Sequence, residues 1–342
     1  MPIEIAIMVM GFYIFLIIAT LLLSIFSKSE NKKSFRQCYI LLFILLVCWS
    51  ILCRTYAIQQ DILVYMEVMK YGVDSFFSSF YFLREPVYWV SSGVLYSFIK
   101  NEILVLVFCD IIAFTVLVLS CYHAKLKPYF VLLFFLFFPS VMGILNVYRQ
   151  FLATIFLFCF FLLYKKNFRF SFNFMFILAC FTHNMAGVFL PLLFLIKKRI
   201  NIFLLIISSV VAIIVAVIFQ DGKSTRGSGD VPSFLFLVVI FVVFFIFVLL
   251  NRFSFKEESL RFFYINLYVG MLAICSVFFL SDVAAKRILM VGMIFLLFSI
   301  YSSIEERIKE EKNRFLIRVF FVLISIAPTF LFSSVLEMLL IS

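Results

Sequence analysis

Charge is what this sequence has least of. Only 14% of its 342 residues are Asp, Glu, Lys or Arg, 65% are hydrophobic, and mean hydropathy is +1.19. A soluble domain carries about 25% charged residues, so this chain has too little polar surface to face water. Soluble enzymes, disordered chains and secreted disulfide scaffolds are excluded on that ground. Glycine and proline are scarce too, at 10 and 7, whereas phenylalanine reaches 51. That composition suits bulky lipid-facing helices.

Other absences narrow the function. No Walker motif is present, which excludes an ATP-driven pump, and no glycine-rich loop follows a strand, which argues against a nucleotide-sugar donor. No internal repeat is visible, which weakens a secondary-transporter reading. The two histidines, His123 and His183, lie far apart, so no zinc site and no other metal or cofactor is expected. No CxxC spacing occurs. Cys38, Cys48, Cys53, Cys109, Cys121, Cys159, Cys180 and Cys275 all lie in or beside apolar segments and read as packing residues. The net charge of +11 is not a nucleic-acid signature, because the basic residues form short clusters between apolar runs, like cytoplasmic loops.

What is there reads as an all-α polytopic integral membrane protein. Apolar runs fall at residues 5–26, 38–53, 103–122, 129–145, 149–164, 200–219, 233–250, 262–280, 288–302 and 315–332. The run at 5–26 lacks a basic flank before it and reads as a span rather than a cleaved signal. Residues 86–99 are short for a span and carry Tyr88, Trp89 and Tyr96, so they predict an interfacial or re-entrant helix. Residues 170–196 have basic clusters on both flanks, which predicts a short helical hairpin turning near His183. With these assignments every basic loop is cytoplasmic and both termini are outside. The sum is about 12 membrane segments, some of them half-spanning, in one multi-pass domain of residues 1–342. Residues 54–100 form a large extracytoplasmic loop with its interfacial helix. Residues 305–314, rich in opposite charges at i,i+4 spacing, read as a solvated helical extension.

The outer side collects the residues that could carry chemistry. Arg149 opens an apolar helix: it is either an anchoring, salt-bridged arginine or an anion site, since its guanidinium fork matches phosphate oxygens. His183, with Asn184 beside it, is either a packing histidine or a base, acid or phosphate partner at an outer cavity. Asp61 and Glu85 bracket the outer loop and are either solvated or, with Tyr65 and Tyr81, the walls of a sugar site. Asp282 and Lys286 are spaced to pair, which leaves Arg287 for an anion. Asp110 lies inside a span with no local partner, a functional candidate or a carboxyl bonded to another helix.

In their order these motifs resemble the EpsG/Wzy type of polysaccharide polymerases, which serve O-antigen, capsule and exopolysaccharide assembly. The closest match is Asn146-Val147-Tyr148-Arg149-Gln150-Phe151-Leu152-Ala153, similar to that family's Asn-x-x-Arg-Gln-x-Leu-Ala. Phe181-Thr182-His183-Asn184-Met185-Ala186 resembles its Phe-x-His-x-Ser-Ala, Arg54…Asp61…Tyr65 its Arg…Gly-Asp…Tyr, and Glu85 and Lys286-Arg287 its next acidic and late basic positions. The departures are Gln60 for Gly, Pro86 for Gly and Met185 for Ser. The resemblance implies a metal-independent glycosyltransferase of the bacterial cytoplasmic membrane, with its site facing outward. Donor and acceptor would be undecaprenyl-diphosphate-linked oligosaccharides in the membrane lipid, with a chain-length regulator and a flippase as partners. On this resemblance His183, Asp61 and Glu85 are the candidate catalytic residues. Arg149, Arg287, Arg54 and Lys286 are candidates for the diphosphate, and Tyr65, Tyr81 and Gln150 for the sugar. A lipid-linked glycan flippase and an O-antigen ligase-like enzyme are the competing readings.

Overall fold

The computed structural model describes residues 3–26, 32–58, 60–77, 80–165, 169–195, 202–219, 231–255 and 257–340; among them there is helix and no strand. In chain order the helices are α1 (Ile3–Ile25), α2 (Lys32–Tyr56), α3 (Gln60–Met69), α4 (Val73–Phe77), α5 (Phe80–Leu83), α6 (Pro86–Ile99), α7 (Glu102–His123), α8 (Pro128–Leu136), α9 (Phe138–Leu145), α10 (Tyr148–Lys165) and α11 (Arg169–Thr182). After a 3-10 turn (Asn184–Phe189) come α12 (Leu192–Leu195), α13 (Ile202–Phe219), α14 (Ser233–Leu250), α15 (Glu257–Phe279), α16 (Asp282–Arg307), α17 (Glu311–Leu331) and α18 (Ser333–Leu340). The chain divides into two compact units, Met1–Asn184 with Phe321–Ser342, and Met185–Phe320.

Seven of these helices are long and apolar enough to cross a membrane, or eight if the bent α8–α9 pair is one span. The expected total of about 12 segments, which included half-spanning ones, is not reached by full spans alone. The difference lies in short apolar helices, among them Tyr148–Leu163 and Asn173–Thr182, which fall below spanning length. The expected run 129–145 is broken by a 60° bend. Phe137 is extended at the break (φ −67, ψ 133), and Pro139, lacking an N–H, cannot continue the helical bonding across it. The carbonyl of Leu136, released at that break, accepts the Tyr13 hydroxyl at 2.8 Å and the Thr329 hydroxyl at 3.4 Å. Side chains of neighbouring helices thus satisfy what lipid cannot.

The expected outer loop is largely helical. α3, α4, α5 and α6 follow one another there, with Gly72 supplying a left-handed turn (φ 82) between α3 and α4. α6 starts with Pro86 in its first turn, ends at Lys100 in the left-handed conformation, and spans the 14 residues expected. Of its aromatics, Tyr88 and Trp89 are buried against Tyr65, Phe76 and Phe82. Asn101 then caps α7, its side chain accepting the Leu104 N–H at 3.0 Å. α7 packs on α2, α6 and α10, and α10 packs on α11.

In the second unit α14, α15 and α16 pack together, and Gly292 lets α16 approach Val269 of α15 closely. Interior polar groups there find one another. Ser299 donates to Asn266 at 2.8 Å, and Asn251 donates to Ser303 at 2.9 Å and accepts from Arg307 at 3.2 Å. Residues 305–314 are mostly exposed, as a solvated segment should be, but they are not one continuous helical extension. The helix breaks at Ile308 (ψ 100), and Glu305 takes the Arg318 guanidinium, Nε at 2.7 Å.

Candidate active site

Three chain segments meet at Glu85. Glu85 precedes Pro86 at the start of α6, Arg149 lies in the first turn of α10, and His183 follows the last residue of α11. The packing of α11 on both α6 and α10 brings them together. One Glu85 oxygen, Oε2, pairs with Arg149 Nη1. The other, Oε1, lies 3.2 Å from His183 Nδ1 and accepts the Asn184 backbone N–H at 3.3 Å. All three side chains are largely buried, at 7% exposure for Glu85, 12% for Arg149 and 11% for His183. Near a helix N-terminus a cation is disfavoured and an anion favoured, so Glu85 offsets both the buried charge of Arg149 and its position at the start of α10.

The imidazole has a defined polarity. Nδ1 faces two acceptors, Glu85 Oε1 and Asn184 Oδ1, each at 3.2 Å. That network assigns the proton to Nδ1, and Nε2 is then the basic nitrogen of the neutral ring. A carboxylate orienting a histidine in this way is the arrangement of a general base with its positioning group.

Arg149 is also held from its faces. Its Cζ lies 5.0 Å from the Tyr65 ring centroid and 4.9 Å from that of Trp89. Trp89 was read from sequence only as an interfacial aromatic and not as a site residue, although it follows Glu85 by one helical turn. Tyr88 continues the cluster, edge-on to Tyr65, Trp89 and Tyr148. Burial pushes its phenol well above the usual range, and the lesser effects of Tyr65 and Cys109 act in the same direction against Arg149 and Arg54. The hydroxyl is therefore neutral.

A second cationic group lies in the same unit. Arg54, expected at the diphosphate, is instead 2% exposed, with Nε 2.8 Å from Asp110 Oδ2, Nη2 3.2 Å from Oδ1 and Nη1 2.6 Å from the Ile144 carbonyl. Ser50 also donates to Asp110, at 2.6 Å, and the Arg54 guanidinium lies over the Tyr148 ring at 4.1 Å. Asp110, which lacked a local partner in sequence, thus has one from α2.

The remaining candidates are distributed as follows. Asp61 is half-buried in the first turn of α3, one helical turn before Tyr65 and on the same face. No ion pair among the described residues joins it to Arg149 or His183. Gln150 is buried in α10 beside Arg149 in sequence. Tyr81 falls in α5, and its side chain lies outside the described residues. In the second unit Lys286 pairs with Asp282 at 2.7 Å, the i,i+4 contact the spacing predicts, and Asp282 also accepts the Ser233 N–H at 2.8 Å. Arg287 is half-buried beside them in sequence.

The family model that matches this chain is that of the EpsG family, over residues 38–340. No curated protein and no solved structure matches it.

Proposed function

The chain belongs to the EpsG family, at family level a polysaccharide-polymerase-like membrane protein, and from that membership we propose that it polymerises lipid-linked oligosaccharide repeats at the outer face of the bacterial cytoplasmic membrane. The donor is an oligosaccharide on undecaprenyl diphosphate, and the acceptor is a second such repeat. The acceptor hydroxyl oxygen attacks the donor's anomeric carbon, the bond from that carbon to the diphosphate oxygen breaks, and undecaprenyl diphosphate leaves with the electron pair. The hydroxyl proton passes to His183 Nε2.

The observation that carries this reading is the triply engaged carboxylate of Glu85. Arg149, the His183 Nδ1–H and the Asn184 N–H converge on one anion, so the guanidinium that a departing diphosphate needs is already held beside the base. In this reading diphosphate oxygens exchange with Glu85 on Arg149. Glu85 keeps its bond to His183, and its charge offsets the imidazolium as the proton arrives. Preorganised donors of this kind stabilise a leaving group without reorganisation at the moment of reaction.

The test is reconstitution of the purified chain in proteoliposomes with a lipid-linked repeat. A ladder of polymer lengths with release of undecaprenyl diphosphate is expected. Movement of the repeat across the vesicle membrane with no ladder would make the protein a flippase. Transfer to a different acceptor without a ladder would make it a ligase.

A further inference from the structure

Arg54 and Asp110 stand apart from the Glu85 cluster, and the proposed reaction assigns them nothing. Both are fully buried charged groups, at 2% and 0% exposure. A buried ion pair is weak evidence for stability, since apolar residues of similar volume often serve as well. Its bonds here do more than join two helices. α9 ends at Leu145 and α10 begins at Tyr148, so the chain reverses within a few residues immediately before Arg149. The last carbonyls of α9 lack helical partners, and Arg54 Nη1 takes that of Ile144 at 2.6 Å. The same guanidinium lies over the ring of Tyr148, the residue next to Arg149, with Cζ 4.1 Å from the ring centroid. Asp110, locked by Ser50 at 2.6 Å, orients the fork through Nε and Nη2. Arg54 thus grips the α9–α10 connection on both sides of the Asn146–Val147 link.

A second path leads from the same place. The Tyr148 ring lies edge-on to Tyr88, Tyr88 to Tyr65, and Tyr65 faces Arg149. Backbone and aromatic contacts therefore both run from the Arg54 guanidinium to the Arg149 guanidinium.

We infer that the Arg54–Asp110 pair is the positioning device for Arg149: it fixes the start of α10 so that the Arg149 side chain meets the diphosphate in register. This rests on the reading of Arg149 as the diphosphate ligand. Arg54 itself touches no substrate.

The discriminating variant replaces both partners with apolar residues, Arg54→Met with Asp110→Leu, in the full-length chain. A pair that serves only stability should tolerate this exchange. A positioning pair should not, because the carbonyl tether and the contact with the Tyr148 ring are lost. The expected result is a thermal transition in detergent close to wild type, binding of farnesyl diphosphate at least tenfold weaker, and turnover reduced to match. Wild-type binding and turnover in the folded double variant would overturn the inference. Should that variant fail to fold, Arg54→Lys keeps a charge beside Asp110 but cannot reach Asp110 and Ile144 in one fork. It is expected to fold and to show the same tenfold loss, and unchanged binding there overturns the inference equally. Arg149→Ala separates the two levels. If it abolishes binding while the double variant binds normally, positioning alone is wrong. If Arg149→Ala binds normally, the diphosphate reading falls, and the inference with it.

Discussion

Glu85 and Arg149, 64 residues apart in the chain, share an ion pair that also reaches His183. Arg149 is therefore already paired when no substrate is bound, and an incoming anion competes with an internal carboxylate.

Removing Arg149 should strongly damage activity. Arg149→Ala is expected to insert normally yet lose turnover by about 10²–10³-fold, the range for losing one preorganised donor to a developing charge. Arg149→Lys should recover only part of this, because an ammonium supplies a point charge where the guanidinium supplies a planar fork. Polymer ladders in reconstituted vesicles, normalised to inserted protein, measure both. A wild-type ladder from Arg149→Ala would remove Arg149 from the site.

Part of this was legible in the sequence. Arg149 and His183 each interrupt an apolar run, a local signal that made them candidates, and the order of motifs around them gave them their expected roles. The Pro86–Ile99 helix and the Asp282–Lys286 pair were legible for the same reason, since proline position and i,i+4 spacing are local signals. The partners were not. Glu85 reads as a loop carboxylate until folding brings α6 against α11, and Asp110 reads as solitary until α2 supplies Arg54. Both pairings join residues more than 50 positions apart, and no pattern of period 3.6 encodes them. The α8–α9 break is different: Pro139 was there to be read, but the surrounding apolar run concealed it.

Glu85 and His183 can be separated by variants that keep their size. His183→Gln should retain binding of a polyprenyl diphosphate and lose turnover by about 10²–10⁴-fold, the contribution of a positioned general base. Glu85→Gln should bind the diphosphate more tightly than wild type, because an uncharged amide competes poorly for Arg149, while turnover falls as the imidazole loses its orienting carboxylate. The reverse pattern, with turnover kept in His183→Gln and lost in Glu85→Gln, would make the carboxylate the base. Equilibrium binding and single-turnover rates on the same preparations distinguish the two.

The basic loops point to the proposed orientation in the membrane, with the site outside. In a cysteine-free background, Tyr71→Cys at the exposed turn after α3 should react with an impermeant maleimide on intact spheroplasts. Lys309→Cys, between α16 and α17, should react only after lysis. Labelling of Tyr71→Cys only after lysis would turn the site to the cytoplasmic side, and labelling of Lys309→Cys on intact spheroplasts would overturn the cytoplasmic placement of its own loop.

The approach of α9 to α10 sets up a contrast between two glycines. A Cβ at Gly143 would lie 2.7 Å from Phe151 Cβ, closer than real contacts allow. The obstructing atom is the first of its side chain, so a rotamer change cannot move it away. Gly143→Ala must therefore push α9 from α10, and overpacking of this kind is destabilising by about 1–3 kcal/mol. The shift falls beside the α9–α10 connection, so turnover should drop along with the thermal transition in detergent. Gly11, within α1, has nothing within 4 Å of its would-be Cβ. There alanine relieves the conformational freedom of glycine in a helix, and Gly11→Ala should be neutral or stabilising by up to about 1 kcal/mol. Equal thermal transitions for the two variants would show that the α9–α10 contact is looser than the backbone geometry requires, and that the start of α10 is not held by packing at Gly143.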